Sequence, residues 1–335
     1  MALLKAAFGK WQDEPYWYWM YRDRPGEEKP IIWVAEEEGR IVGHYALVPV
    51  AMFVDGSKMQ GSQSVDTATD PQFRGRGIFQ TLAKLAYSDA ESRRIAISYG
   101  FSVIGDPAYL GFTKKLGWKH VGMMLSGVKV LNYLELIRAL FAKPLQEGLG
   151  STNEQAMKDS FDSLNMIISN YEVKTLCCFD DEFESVAEFS TKLGRIIVER
   201  SVGYLTWRYV NKPVSSYIRL GCFSKGKPAG YLVLRLSRMG RRMDGRIVDL
   251  VADGERAILA LIRATSALLR TNVATLSILI QEKNPYIEIL RSAGFEFKRS
   301  RLPLIARANN PATVSEGQLA NPANWFVMQG DSDQV

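Results

Sequence analysis

Residues 69–79 read Thr-Asp-Pro-Gln-Phe-Arg-Gly-Arg-Gly-Ile-Phe, a run with the residue types that binding a phosphate requires. A glycine-rich turn between a strand and a helix aims several backbone N–H groups at one point, and the partial positive charge of the helix start adds to them. Gly75 and Gly77 let a ligand approach the backbone with no Cβ in the way. Arg74 and Arg76 place charge-assisted donors at the rim. The turn is not a Walker loop, which carries Lys-Ser/Thr after its second glycine where this chain has Ile78-Phe79. A dinucleotide fingerprint is also disfavoured, because that motif follows the first strand of a parallel unit and an antiparallel meander precedes this turn.

Other chemistries find little support. His44 and His120 are the only histidines, too few for a histidine zinc site or a Ser/His/Asp triad, and both read as strand residues. No metal is called for. Three cysteines cannot form a disulfide framework. The adjacent Cys177 and Cys178 lie in the apolar run Leu176–Phe179 and read as buried apolar residues. Forty-two Lys and Arg against 36 Asp and Glu leave a net charge of +6, which attracts anions without specifying nucleic acid. With 47% hydrophobic and 23% charged residues in 335, the chain is of globular type and long enough for two domains. No leader peptide and no long apolar span are apparent, so a cytoplasmic protein without a membrane partner is expected.

The elements that must position the turn follow from periodicity. A short aromatic helix leads to a hairpin over Ile31–Glu37 and Ile41–Phe53, and Asp55-Gly56 turns the chain into a strand over Gly61–Thr69. The turn then opens a helix from Gly77 to Arg93, with Ile78, Leu82, Leu85 and Ala86 on one face. A strand near Ile95–Phe101, a helix near Pro107–Lys115 and a strand pair over Trp118–Val130 complete the unit. The order α-β-β-β-α-β-α-β-β predicts a mixed α/β (α+β) sheet with helices on its faces.

The unit recurs. Tyr16, Trp19, Tyr21 and Pro25 share a register with Tyr204, Trp207, Tyr209 and Pro213; GRIVGHYALV at 39–48 resembles GKPAGYLVLR at 226–235. Val65, Asp66 and Asp70 align with Val248, Asp249 and Asp253, and KKLGW at 114–118 with RSAGF at 291–295. The expected organisation is a first domain over 1–130, a helical connector over 131–172, a second domain over 173–306 and an extended tail over 307–335. Helices are expected over Tyr133–Phe141 and Ala156–Tyr171 in the connector. The second copy has Val251-Ala-Asp-Gly-Glu-Arg256 at the turn, with one glycine and acids where phosphate would sit.

A meander followed by D-P-x-F-R-G-x-G-I and a helix resembles the pyrophosphate loop of the GCN5-related N-acetyltransferase (GNAT) superfamily. The family form R-x-x-G-x-G/A falls on Arg74, Gly77 and Phe79, the last departing from the pattern and narrowing the space at the helix start. Leu116-Gly117-Trp118 resembles the close of the same fold. The resemblance covers residues ~10–130, and ~180–306 through the repeat. It implies that acetyl-CoA is the acyl donor, wedged between two splayed strands. Thr67, Ala68 and Thr69 would then bond the pantetheine, and the amides of Arg74, Gly75, Arg76, Gly77, Ile78 and Phe79 the pyrophosphate. Asp66 falls near the carboxylate with which such enzymes deprotonate the amine; the competing reading is that it serves the fold, since Asp249 repeats it.

The family's tyrosine acid would fall at Thr113, which leaves Tyr109, one turn earlier, as a candidate against a packing role. Gly105-Asp106 stands where the family often has an asparagine. Some relatives place a C-terminal carboxylate in the site, and Asp331, Asp333 and Val335 are the tail residues that could reach one. Trp19 and Trp207 read as packing anchors. The leading expectation is an N-acyltransferase that moves a short acyl group from acyl-CoA to a primary amine of a small molecule, such as an amino sugar or amino acid. Two alternatives stand beside it: a Fem-like peptidyl transferase using aminoacyl-tRNA, and a non-catalytic acyl-CoA scaffold or sensor.

Overall fold

The computed structural model describes residues 2–8, 13–141, 164–213, 216–239 and 242–333. In the first half, helices Ala2–Phe8 and Glu14–Tyr21 precede strands β1 (Ile31–Glu37), β2 (Arg40–Val54) and β3 (Ser57–Thr69). Helix Ile78–Ser92, β4 (Ile97–Phe101), a helical turn over Pro107–Lys115 and β5 (Lys119–Val130) follow. Asp55 and Gly56 have φ of +50° and +78°, the two-residue turn that matches the twist of its flanking strands. The strand pair expected over 118–130 is instead the single long β5. Its polar Ser126 and Lys129 do not end it, because Val128 and Ser126 pair with neighbours on both edges.

After helix Tyr133–Phe141 come the hairpin β6 (Asn165–Ile168) and β7 (Tyr171–Thr175), helix Glu184–Ser190 and β8 (Ile196–Val198). The helix expected over Ala156–Tyr171 therefore fails over its second part, where Ser169 and Asn170 take φ of +51° and +69° and turn the chain back; residues 151–163 lie outside the described residues. Helix Val202–Tyr209, β9 (Tyr217–Ser224), β10 (Lys227–Met239), β11 (Arg242–Ala252), helix Glu255–Leu269, β12 (Thr275–Gln281), helix Ile287–Ser292 and β13 (Glu296–Ala308) then repeat the element order of the first half.

All strands form one sheet, in the order β14-β8-β2-β3-β4-β13-β5-β12-β11-β10-β9-β7-β6, with β1 on β2. Here β14 is Trp325–Phe326. β3 and β4 are parallel, as are β11 and β12. The last strand of each half pairs with the other half: β13 lies on β4, β5 lies on β12, and β5 and β13 pair antiparallel between them.

A second tie joins the halves. The Trp19 and Trp207 rings stack at 4.7 Å and 11°. Each indole N–H donates to the carbonyl of the other tryptophan, at 2.8 and 2.9 Å. Both rings are buried, in accord with their reading as anchors.

Two further expectations change. The tail is not a plain extended segment: helix Glu316–Ala320, β14 and short turns carry it inward, and Trp325 to Ser332 are all buried. Its apolar run Trp325–Met328 fills space between packed elements that a solvated tail would leave open. Cys177 and Cys178 are exposed, since the chain bends there and the flanking Leu176 and Phe179 take the buried positions.

Truncating either tryptophan leaves a cavity and an unpaired carbonyl, so Trp19→Ala and Trp207→Ala are each expected to cost about 3–5 kcal/mol. The double variant should cost less than the sum by about 1 kcal/mol or more, measured by urea unfolding.

Candidate functional site

The glycine-arginine turn forms as its residues require. Asp70 caps a short helical turn over Pro71–Phe73, accepting from Gln72 N–H at 3.0 Å, and forms an ion pair with Arg40. Gly75 and Gly77 follow with φ of +81° and +79°, a left-handed region that any side chain would strain. Thr81 N–H donates to Gly77 C=O at 3.0 Å, so the N–H groups of Ile78, Phe79 and Gln80 precede the helical ladder and point out of the helix start. Arg76 lies over the Phe73 ring at 4.7 Å and reaches Glu37 at 3.4 Å, with more than half of its side chain exposed. Phe79 does not narrow the helix start as expected. Its ring turns away to pack edge-on against Phe112 at 5.2 Å, in space that Gly111 leaves open.

The strand leading to this turn borders a cavity of about 360 Å3. β3 and β4 pair only through Gly61–Gln63 and Ile97–Tyr99 and then part, and the cavity lies in the gap. Ser64 to Thr67 form one wall and Gly100 to Val103 the other. Phe112 and Trp118 close one side, Phe8 and Tyr16 another, and β13 of the second half contributes Ile305. Asp66, Asp106 and Asp333 are its acidic residues.

Asp66 is presented by a bulge. His44 pairs with Ala68 and Ala46 with Val65, so Asp66 and Thr67 share the place opposite Tyr45. Asp66 has a φ of +52°, unusual for a residue other than glycine, which turns its carboxylate into the gap. His44 Nδ1 holds the bulge at 2.8 Å from Asp66 C=O. Burial lowers the imidazole's affinity for a proton, so the ring is kept neutral.

The Tyr21 hydroxyl donates to Asp66 Oδ2. Burial pushes the Asp66 carboxyl up to about 7; the Tyr21 hydrogen bond opposes this and the charge of Asp333 reinforces it. Asp333 is raised as well, chiefly by burial, while Arg208 and Lys212 pull it down. Tyr16 is raised by burial. Behind these groups, burial and Arg208 push the Lys212 ammonium down to about 6.

The cavity thus collects Asp66 and Thr67 from the expected site residues, with Ala68 and Thr69 continuing β3 toward the turn. Tyr109 is not among the lining residues; it packs against the aromatic cluster, with its hydroxyl 3.0 Å from His120 Nδ1. Tyr16 and Asp333 were not placed together by spacing, since the chain separates them by most of its length. The repeat did carry a trace of the Tyr21–Asp66 pair: the aligned Tyr209 donates to Asp249 Oδ2 at 3.1 Å. Of the tail residues, Asp333 lines the cavity, Asp331 is buried against Arg200 and Val335 lies outside the described residues. Among the described residues no group of His, Cys, Asp or Glu is placed to hold a metal ion, and no helix is long and apolar enough to cross a membrane.

Residues 1–121 match the family model described as an acetyltransferase (GNAT) domain. No curated protein matches the chain by sequence. Among solved structures, it is similar to a GCN5-related N-acetyltransferase from Anabaena variabilis, with a TM-score of 0.66 at 15% identity over 92% of this chain and 69% of that one. A probable N-acyltransferase from Enterococcus faecalis gives 0.62 at 11% identity over 92% and 68%. N-myristoyltransferase of Saccharomyces cerevisiae with bound myristoyl-CoA gives 0.56 at 12% identity over 92% and 78%. At these identities the likeness is one of fold.

A carboxyl raised in the folded state keeps its proton up to about pH 7, whereas the unfolded chain releases it near 4. Stability therefore falls as pH rises through that window and levels off above it. Asp66→Asn removes the share of the fall that belongs to Asp66, leaving that of the raised Asp333. The variant is expected to match the wild type near pH 4 and to gain up to about 4 kcal/mol by pH 8, at 1.36 kcal/mol per pKa unit, measured by urea unfolding at both pH values.

Proposed function

We propose that this chain, whose residues 1–121 match an acetyltransferase (GNAT) domain model, transfers a short acyl group from acyl-CoA to a primary amine of a small molecule. The observation that carries the reading is continuity: one strand, β3, borders the cavity at Asp66 and three residues later enters the glycine-arginine turn. Three residues of strand span about 10 Å, room for an amide-bearing arm to lie along Thr67, Ala68 and Thr69. β3 has no ladder partner on the β4 side beyond Gln63 among the described residues, so backbone groups on that edge can pair with the arm. The amides of Arg74 to Phe79 then receive the pyrophosphate, with Arg74 and Arg76 at its rim.

In the transfer step the amine nitrogen bonds to the thioester carbonyl carbon and the carbon–sulfur bond breaks. Asp66 is the proposed proton acceptor, because a carboxyl near pH 7 ionises enough to take a proton from an ammonium group and is basic enough to hold it. Tyr16 lines the same cavity and is a proposed hydrogen-bond donor to the departing sulfur, which takes its proton from the amine nitrogen; Tyr109, whose hydroxyl meets His120, is not among the lining residues. The cavity is lined by Phe8, Phe112 and Trp118 beside Asp66, so an acyl group can lie against apolar rings next to the proposed proton acceptor. The yeast structure's myristoyl-CoA makes a longer chain the second arm of the test. The proposed division is a CoA-binding domain over 1–130, a connector over 131–172, a second domain over 173–306 without an acyl-CoA site, and a tail.

Gly77→Asp puts a carboxylate and a strained backbone where the pyrophosphate would lie. It is expected to weaken acetyl-CoA binding by about a hundredfold or more, read by calorimetry, with thiol release lost across a panel of small amines. Binding of aminoacyl-tRNA by the wild type without acetyl-CoA binding would overturn the reading in favour of the peptidyl-transferase alternative. Acetyl-CoA binding with no thiol release for any amine would favour the sensor.

A further inference from the structure

In the second half, β11 and β12 pair through Asp244–Ile247 and Thr275–Ile278 and then part, as β3 and β4 do in the first. There the chain's own tail lies in the gap. Gln281 N–H donates to Val327 C=O at 3.1 Å, and Met328 forms a bridge with Ile280. Gly330 lies so close to the other wall that a Cβ would overlap the Tyr209 hydroxyl and come within 3.0 Å of Val248 C=O. Val248 and Asp249 are the repeat partners of Val65 and Asp66, so the tail occupies in one copy the place left open in the other.

Beyond this plug the tail is gripped by two buried arginines. Arg200 Nη2 donates to Asp331 Oδ2 at 2.8 Å and lies 3.5 Å from Asp249 Oδ1, while Nη1 donates to Val198 C=O at 2.9 Å. Arg208 donates to Ser332 C=O. The next residue, Asp333, lines the first cavity. Arg200 is the cation shared by two buried carboxylates; without it Asp249 and Asp331 would repel each other in a medium that cannot screen them.

We propose that Arg200 and Arg208 are positioning residues, which clamp the tail in the second copy's wedge and thereby hold the Asp333 carboxylate in the cavity that Asp66 lines. The second copy thus acts on the first through the tail rather than as a second acyl-CoA site. The role in transfer rests on the reading of the cavity given above; the clamp itself does not. Tyr21, Tyr16 and Asp333 act on Asp66, its own carbonyl meets His44, and Asp106 lines the same cavity. Arg208 and Lys212 act on Asp333. Loss of the Asp333 charge removes a repulsion and lets Asp66 ionise at lower pH.

The test uses the full chain with Arg200→Gln, Arg200→Lys, Gly330→Val and Asp333→Asn. Amide hydrogen exchange over residues 325–333, acetyl-CoA affinity and the pH dependence of kcat/KM are measured for each. Arg200→Gln should speed tail exchange by about tenfold or more, keep acetyl-CoA affinity within about twofold, and move the low-pH limb of kcat/KM downward as Asp333→Asn does. Arg200→Lys should restore the limb toward the wild type, which loss of packing alone would not produce. Gly330→Val should loosen the tail without altering any charge and shift the limb likewise, and it carries the test if Arg200→Gln fails to fold. A loosened tail with an unmoved limb, or an Asp333→Asn limb that coincides with the wild type, overturns the positioning role. If the wild type neither binds acetyl-CoA nor releases thiol, the transfer reading falls, and unchanged tail exchange in Arg200→Gln and Gly330→Val would then overturn the clamp as well.

Discussion

The pairing of β5 with β13 at the centre of the sheet is the constraint on which the rest of the molecule depends. Each half contributes the strand that completes the other, so β4 reaches β5 only through β13, and β12 meets β5 directly. The Trp19–Trp207 stack repeats that reciprocity on the helices, each indole bonding the other's backbone. Neither half has a closed core of its own: β13 supplies Ile305 to the aromatic cluster under the helix Ile78–Ser92, while Val121 and Met124 of β5 join the larger cluster that includes the second half.

The same local design has two outcomes. A tyrosine from the aromatic helix bonds an aspartate on the strand before the parallel crossover in both halves, Tyr21 with Asp66 and Tyr209 with Asp249. Around Asp249 the chain adds a second tyrosine hydroxyl from Tyr231 at 2.9 Å, an arginine and the tail, and the group is sealed. Around Asp66 the strand takes a positive φ, Asp333 rather than an arginine lies near, and the group faces a cavity. Environment rather than residue identity separates a sealed carboxylate from one that faces a cavity.

Much of this was legible in the chain. The glycine-arginine turn, the hairpins at Asp55-Gly56 and the repeat of Tyr, Trp and Asp positions depend on local backbone chemistry, which spacing records. What was missed depends on contacts distant in sequence. The exchange of β5 and β13 leaves no local mark, because the strands look alike whichever sheet they complete. Tyr16 and Asp333 meet across nearly the whole chain. The tail's Asn/Ala/Pro-rich start suggested an extended segment, although the apolar Trp325–Met328 could have signalled burial. The bend at Cys177-Cys178 reversed an expectation based on composition alone: the flanking apolar residues went inward and the thiols outward.

The strand exchange also sets a schedule for synthesis. While the first half emerges from the ribosome, the β4 edge has no partner, and it gains one only when residues 296–308 are made. At about 5–20 residues per second, the interval between the end of β5 and the end of β13 is roughly 10–35 s. For that time an unpaired sheet edge and an incomplete cavity wall face the cell, a state prone to pairing with other chains. The sheet edge of the first half is therefore closed late, by residues that belong to the second.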